Sequence, residues 1–274
     1  MVTRQDYESD AVQAARAVVI ELTHLLGEYR ENIVLIGGWV PELLCPQAEE
    51  AYVGSLDVDL ALDHQGLTEA GYRTIEQLLK TRGYVQAGQP FIFHRKVTVG
   101  GREVTVEVDL LGGEYGGTGP AHRTQPVQDV RVRKARGADL AFKDPEEVIV
   151  SGALPNGAAD SVTVRVASIV PFLVMKAMAL DQRLKAKDAW DILYCLKHYR
   201  GGIDAIIAAF RSQLDHGLVQ DGLKRLAKHF SSVDGVGPVH VAEFDGVTDP
   251  EERDRVRREA FERVQYLLGQ LGVR

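Results

Sequence analysis

Three aspartates inside apolar runs have the types and spacing of a metal-binding or proton-transfer group. Asp57 and Asp59 are one residue apart within the run 56–62, and Asp109 lies in a similar run, 102–111. Side chains alternate across a strand, so Asp57 and Asp59 are expected on one face. Carboxylate oxygens suit Mg²⁺, and three neighbouring carboxylates need a cation to offset their repulsion. Ions held by such a group would support phosphoryl or nucleotidyl transfer, and the third carboxylate could also take the proton of an acceptor hydroxyl.

A pair of glycines, Gly37-Gly38, follows the apolar run 33–36. Glycine lets the backbone N–H groups approach a ligand closely, which suits phosphate. Together with the aspartates, this pair predicts a site for a nucleotide and a metal ion.

The elements that must position these residues follow from hydrophobic periodicity. Strands are predicted at 32–36, 56–62, 91–99 and 102–111, with two more at 147–150 and 161–166. Helices are predicted from residue 8 to near Gly27, at 39–44 and at 68–82, the last capped by Thr68. From residue 168 onward the pattern is helical, with Pro171 in a first turn and the stretch 231–250 as a Gly/Asp-rich connection. The fold class expected is α+β: a mixed β-sheet flanked by helices in an α/β domain, 1–166, then a C-terminal helical domain, 167–274.

Composition excludes several classes of protein. The 274 residues carry a net charge of −7, which argues against a broad nonspecific nucleic-acid binder. The two cysteines, Cys45 and Cys195, lack metal-ligand spacing and favour a reducing cytoplasm. The longest uncharged run, 166–175, falls short of the ~20 residues of a spanning helix, so no membrane association is expected.

The residues that carry chemistry resemble a known family. Gly37-Gly38, the segment Ser55-x-Asp57-Val58-Asp59 and Val108-Asp109 are similar to the polymerase-beta-type nucleotidyltransferase superfamily. Lys176, then Arg183, then the segment 187–192 (Lys-Asp-Ala-Trp-Asp-Ile) resemble the signature of its AbiEii-type branch. The resemblance covers roughly residues 32–196 and implies a nucleotidyltransferase-like fold.

The resemblance implies an activity and a role for each matching residue. Members of the branch transfer a nucleotide from an NTP, some onto tRNA, and several are toxins of toxin–antitoxin or phage-defence systems. By this resemblance, Mg²⁺ would be held by Asp57, Asp59 and Asp109, and phosphate would be contacted by Gly37, Gly38 and Ser55. The charge of the triphosphate would be neutralised by Lys176, with Arg183. The nucleotide or acceptor side of the site would be shaped by Asp188 and Asp191. The implied partners are an NTP, tRNA and a cognate antitoxin.

Simpler interpretations stand beside these roles. Lys176 and Arg183 are two helical turns apart, so they would share a face either as solvated cations or as a phosphate clamp. Lys187 and Asp191 have the spacing of a surface ion pair. Glu107 competes with Asp109 as the third carboxylate. The basic cluster Arg131, Arg133, Lys134 and Arg136 is a solvated strand face or a strip for RNA phosphates.

Two other functions remain open from the sequence. Trp39 directly after the glycines is more typical of antibiotic-modifying nucleotidyltransferases, such as those acting on aminoglycosides or lincosamides, and the segment Cys45–Gly54 is longer than the family pattern leads us to expect. A non-catalytic nucleotide-binding partner protein is the third possibility.

Overall fold

The computed structural model describes residues 3–69, 71–119 and 121–273, which divide into two compact units. An α/β unit comprises 7–40 and 54–168. A helical unit comprises 3–6, 41–53 and 169–273. The sequence predicts one boundary near residue 166; the last change of unit is at 168/169, and two earlier segments belong to the helical unit. The predicted domains also include residues 1, 2, 70, 120 and 274, which lie outside the described residues.

The α/β unit is built on one mixed sheet. Among the described residues its strands are β1 (Ile33–Ile36), β2 (Asp57–Leu62), β3 (Val85–Gln86), β4 (Ile92–Val99), β5 (Arg102–Gly112), β6 (Thr124–Val127), β7 (Val130–Lys134), β8 (Glu146–Ala153) and β9 (Ala159–Val166). The sheet order is β3-β4-β5-β2-β1-β9-β8, with β7 also pairing with β5, and β6 with β7. The pairs β2–β5, β1–β9 and β5–β7 are parallel and the others antiparallel. The α+β class expected from the sequence is confirmed.

The central strands have one apolar face, which helix α1 (Ser9–Leu25) covers. Val58 and Leu60 alternate with the aspartates along β2, so they face the opposite side of the sheet. Val19 and Leu22 of α1 line a pocket together with Leu60, which puts the helix on the apolar face. The carboxylates therefore lie on the face that α1 leaves uncovered.

The helix predicted at 68–82 is shorter than expected. Helix α3 is Ile75–Thr81, and Thr74 caps it: its hydroxyl accepts from the backbone N–H of Gln77, whose side chain accepts from the N–H of Thr74. This reciprocal capping box satisfies two N–H groups at the helix start, which a cap at Thr68 would not do. Thr68 is a correction to the sequence analysis, and Ala70, within the predicted helix, lies outside the described residues.

The helical unit contains α2 (Val40–Leu44) from Pro41 onward, α4 (Ile169–Arg183), α5 (Ala186–His198), α6 (Gly202–Arg211), α7 (Gly217–His229), α8 (Val236–Phe244) and α9 (Pro250–Gln270). Helix α4 packs on α5 and α7, and α8 packs on α5 and α9. As predicted, α4 has Pro171 in its first turn.

Helix α8 is a correction, because the sequence indicated a connection at 231–250. Gly237 and Pro238 read as helix breakers, yet proline is tolerated in a first turn. Gly237 is required for packing: a Cβ there would lie 2.5 Å from the ring of Phe230. Within the described part of the chain, no helix has the length and apolar character needed to cross a membrane.

Candidate active site

The three predicted carboxylates lie on two neighbouring parallel strands. In the β2–β5 register Asp59 is opposite Asp109, and Asp57 is opposite Glu107. Register partners on adjacent strands are ~4.8 Å apart and point to the same face, so Asp57, Asp59 and Asp109 share one face. Asp57 is exposed at the start of its strand, whereas Asp109 is buried.

Gly37 makes room for the second aspartate. Its φ is +71°, and a Cβ at this position would lie 1.9 Å from Oδ2 of Asp59. Because β1 pairs antiparallel with β2, Ile36 is the register partner of Asp59, and the chain turns at Gly37 directly beside the carboxylate. A glycine is thus needed at position 37 to leave space for Asp59, in addition to the phosphate contact predicted from the sequence. Gly38 is buried.

Asp57 is held at the strand start by two neighbours. The buried Ser55 donates its hydroxyl to Oδ1 of Asp57 at 2.6 Å. The indole Nε1 of Trp39 donates to the backbone carbonyl of Asp57 at 2.9 Å. Trp39 is 1% exposed, so it is a core residue. Its presence after the glycines therefore has a structural explanation that does not depend on the acceptor.

Asp109 is the most buried of the three and has a cationic partner. Nη2 of Arg133, from β7, donates to Oδ2 of Asp109 at 2.5 Å. Burial raises the pKa of Asp109; Arg133 opposes that rise, while the negative charges of Glu107 and Asp57 add to it. Oδ1 of Asp109 is buried and has no hydrogen-bond partner among the described residues.

Glu107 lies on the same face of β5 as Asp109 but in a different environment. It is exposed, and its Oε2 lies 3.7 Å from Nε2 of His94 on β4. Of the two candidates for the third carboxylate, Asp109 is thus the one directly opposite Asp59.

The carboxylate face fits a hard cation in donor chemistry. All candidate ligands are carboxylate oxygens, and Oδ1 of Asp109 is a buried acceptor with an unused lone pair. Over the ranges that the structure describes, no three His, Cys, Asp or Glu side chains are close enough together to hold a metal ion. A cation on this face would have the unused Oδ1 of Asp109 available, and it would compete with Ser55 for Asp57 and with Arg133 for the charge of Asp109.

The predicted lysine lies in the helical unit within a buried charge cluster. Nζ of Lys176 on α4 is 2.9 Å from Oδ1 of Asp188 and 2.6 Å from Oδ2 of Asp191, both on α5. Arg183 forms a bidentate pair with Asp188, with Nε–Oδ2 and Nη2–Oδ1 both 2.8 Å. Lys187 donates to Oδ1 of Asp191 at 2.9 Å.

Charge and burial balance within this cluster. Burial alone would lower the pKa of Lys176, but Asp191 and Asp188 outweigh it and hold that pKa above its usual value. Burial likewise opposes ionisation of Asp188, yet Lys176 and Arg183 hold its pKa below the usual range. Lys176 and Asp188 are therefore charged at neutral pH, and the carboxylates beside the lysine neutralise much of its charge.

The segment Cys45–Gly54, unusually long by sequence, is largely explained by this cluster. The hydroxyl of Tyr52 donates to Oδ1 of Asp191 at 2.7 Å, and that of Tyr194 donates to the carbonyl of Glu50 at 2.8 Å. The ring of Tyr52 lies 5.6 Å from that of Trp190 and 5.0 Å from that of Tyr194. The segment is therefore anchored on α5 rather than being a loose insertion.

The predicted site residues thus fall into two groups. Asp57, Asp59 and Asp109, together with Gly37, Gly38 and Ser55, belong to the α/β unit, and Lys176, Arg183, Asp188 and Asp191 form the cluster in the helical unit. Arg133 as a partner of Asp109, and Tyr52 as a partner of Asp191, were not predicted from the sequence. The alternation of Arg131 and Arg133 with apolar residues could have indicated the contact between Arg133 and Asp109. No local sequence pattern indicates the contact between Tyr52 and Asp191.

Comparison with known proteins gives the family. The family model "Nucleotidyl transferase AbiEii toxin, Type IV TA system" matches residues 24–265, which is most of the chain. The chain belongs to the AbiEii family. It is therefore a nucleotidyltransferase, and the resemblance seen in the sequence is confirmed. No curated protein and no solved structure matches this AbiEii chain. Membership of a type IV toxin–antitoxin family implies a nucleotide substrate and a cognate antitoxin.

Proposed function

We propose that this AbiEii nucleotidyltransferase moves a nucleoside monophosphate from an NTP to tRNA in a Mg²⁺-dependent reaction, as the toxin of a cytoplasmic toxin–antitoxin pair. The observation that carries the proposal is the register of β2 and β5, which sets Asp59 opposite Asp109 with Asp57 on the same face. The unsatisfied Oδ1 of Asp109 supports it, since a buried acceptor without a partner needs a ligand.

In this reaction the acceptor hydroxyl oxygen bonds to the α-phosphorus of the NTP. The bond from that phosphorus to the oxygen bridging to the β-phosphate breaks, and pyrophosphate leaves. The hydroxyl proton passes to one of the carboxylates on β2 and β5. Asp57, Asp59 and Asp109 would hold Mg²⁺, which when bound neutralises charge developing on the phosphate oxygens. Gly37 and Gly38 would bring backbone N–H groups towards the phosphates.

In the helical unit, the proposed nucleotide contact falls to Arg183. Its side chain is 44% exposed, whereas those of Lys176, Asp188 and Asp191 are at most 9% exposed. The three buried groups would then act by holding Arg183 and the segment bearing Tyr52 in place. The stability of a Lys176→Met variant distinguishes this role of the lysine from direct action on the triphosphate.

The test is transfer of label from each of the four α-labelled NTPs, with Mg²⁺, to total tRNA. We expect one labelled tRNA band with the wild-type chain and a loss of about 10²-fold or more in Asp57→Ala. Glu103→Ala is the matched control: Glu103 lies on the same strand and face as Asp109 but forms an exposed ion pair with Lys96. Transfer that persists in Asp57→Ala would refute the carboxylate site.

Expression in cells distinguishes the acceptor. A tRNA-modifying toxin slows growth, and Asp57→Ala relieves the effect. Modification of an antibiotic would instead raise drug resistance, and a non-catalytic partner would bind Mg²⁺–NTP without turnover.

A further inference from the structure

Arg133 reaches the carboxylate face from a neighbouring strand. In the parallel β5–β7 register Arg133 is opposite Leu111, which is two residues from Asp109 and on the same face. Its guanidinium lies against the ring of Phe91, 5.7 Å from the centroid. It is thus held beside Asp109 by packing as well as by charge.

The contact between Arg133 and Asp109 uses only part of the hydrogen-bonding capacity of either group. Nη2 donates to Oδ2, while the buried Nε of Arg133 and Oδ1 of Asp109 have no partner among the described residues. The pair Arg95–Glu21, away from the carboxylates of β2 and β5, is bidentate: Nε donates to Oε2 at 2.9 Å and Nη2 to Oε1 at 3.1 Å. A bidentate fork is the stronger arrangement, so Arg133 is held less firmly than an arginine with a purely structural role.

Exposure separates the two partners of this pair. The side chain of Arg133 is 40% exposed, while that of Asp109 is 11% exposed. The guanidinium can therefore swing to a ligand in solvent without unpacking the sheet. A divalent cation on the carboxylates would repel it, and a triphosphate offers oxygen pairs that match its planar fork.

We propose that Arg133 belongs to the transfer site. It pairs with Asp109 until a divalent cation displaces it, and it then binds the phosphates of the NTP. The inference rests on the proposed Mg²⁺-dependent transfer and assigns this arginine two competing anionic partners. It predicts effects of opposite sign on metal and on nucleotide, which a merely structural arginine would not produce.

The test measures Mn²⁺ binding by electron paramagnetic resonance without nucleotide, and binding of an α,β-methylene NTP analogue by calorimetry with Mn²⁺. In Arg133→Gln we expect Mn²⁺ to bind about fivefold more tightly, because its competitor is gone. We expect the analogue to bind about tenfold more weakly, because a charged hydrogen-bond donor is lost.

Two further variants make the result specific. Arg131→Gln removes an exposed cation of the same strand, which donates to the hydroxyl of Thr124 at 3.4 Å, and it should change neither affinity by more than about twofold. Arg133→Lys keeps the charge but not the fork, so Mn²⁺ should bind as in wild type and the analogue more weakly.

Unchanged or weaker Mn²⁺ binding in Arg133→Gln, where Asp57→Ala still abolishes binding, would overturn the role of Arg133 alone. Unchanged analogue affinity in Arg133→Gln would do the same. Absence of Mn²⁺ binding in the wild-type chain would overturn the metal site itself and this inference with it.

Discussion

At the scale of single residues, the closest packing at the site is that of Gly37 against Asp59. Gly37 has a positive φ, and the carboxylate of Asp59 occupies the space where the Cβ of any other residue would lie. An alanine at this position would be strained in the left-handed backbone conformation. Its Cβ would also push Asp59 away from Asp109, the register partner of Asp59 on β5.

We therefore predict that Gly37→Ala abolishes nucleotide transfer and Mn²⁺ binding. The backbone cost is about 1–2 kcal/mol of unfolding free energy, and displacement of Asp59 removes a proposed ligand. Gly101→Ala is the matched control, since Gly101 has a φ of +83° and a Cβ there would meet no described atom within 4 Å. It should lose similar stability and keep full activity; equal loss of activity in both variants would contradict the steric account.

Asp181 is a second residue with a distinct environment, in the helical unit. Lys228 and His229 donate to Oδ1, Arg225 pairs with Oδ2, and together they lower the pKa of Asp181 to about 2. A carboxyl group in an unfolded chain titrates near 3.9. The folded form is thus favoured by this group above pH ~4, and that contribution disappears as the pH falls through about 2.

Accordingly, we predict that Asp181→Asn lowers the unfolding free energy at pH 7 by about 1 kcal/mol, a value appropriate to a partly exposed ion pair. The difference from wild type should shrink as the pH falls below ~4. Urea unfolding at pH 7 and pH 3 measures both. Asp221→Asn is the control, because Asp221 pairs with Arg225 at the longer distance of 3.3 Å and should cost less. A difference independent of pH would show that the ion pairs are not the cause.

At the scale of elements, α4 and α5 are joined by charges rather than by apolar contacts alone. Lys176 supplies the cation from α4, and Asp188 and Asp191 supply the anions from α5. All three are buried, so removing Lys176 leaves two buried carboxylates with less compensating charge, from Arg183 and Lys187, in a medium that solvates charge poorly.

Lys176→Met is predicted to lower the unfolding free energy by about 3 kcal/mol, as expected for breaking a buried ion pair. Lys80→Met is the control: Lys80 forms an exposed pair with Glu76 on α3 and should cost less than about 1 kcal/mol. Urea unfolding followed by circular dichroism gives both values. A Lys176→Met chain that is as stable as wild type but fails to transfer would assign the lysine to the nucleotide instead.

The sequence was sufficient for elements with a strong period and for residues inside them. The alternation in β2 and β5 predicts which face carries Asp57, Asp59 and Asp109, because strand period fixes the side. Helix α8 was missed because Gly237 and Pro238 contradict local helix propensity, and only packing against Phe230 explains the glycine. Thr74 was missed as a cap because Thr68 offers the same local signal.

At the scale of the whole molecule, what the sequence could not predict is contact between distant segments. The pairing of Arg133 with Asp109 depends on β7 lying beside β5, and the pairing of Tyr52 with Asp191 spans 139 residues. Such contacts follow from topology and have no local pattern. They also decide the division of the chain, since the helical unit includes 41–53 as well as 169–273.

This division predicts that residues 169–274 alone do not reproduce the native helical unit. The fragment lacks Tyr52, which covers Trp190 and donates to the fully buried Asp191, and it lacks Arg4, whose guanidinium lies 5.5 Å from the Trp190 ring. Trp190 is 4% exposed in the chain. The chain has two tryptophans, and Trp39 is outside the fragment. The tryptophan fluorescence of the fragment therefore reports on Trp190 alone.

We expect the emission of the fragment to be red-shifted relative to a full-length Trp39→Phe variant, and its urea midpoint to be lower. Adding a peptide of residues 41–53 should shift the emission back in a saturable way, because the peptide restores the ring contacts and the hydrogen bond to Asp191. The same peptide with Tyr52→Phe keeps the ring but not the hydroxyl, so it should bind about fivefold to tenfold more weakly. A fragment with native emission and no response to either peptide would mean that the segment rests on the helical unit without stabilising it.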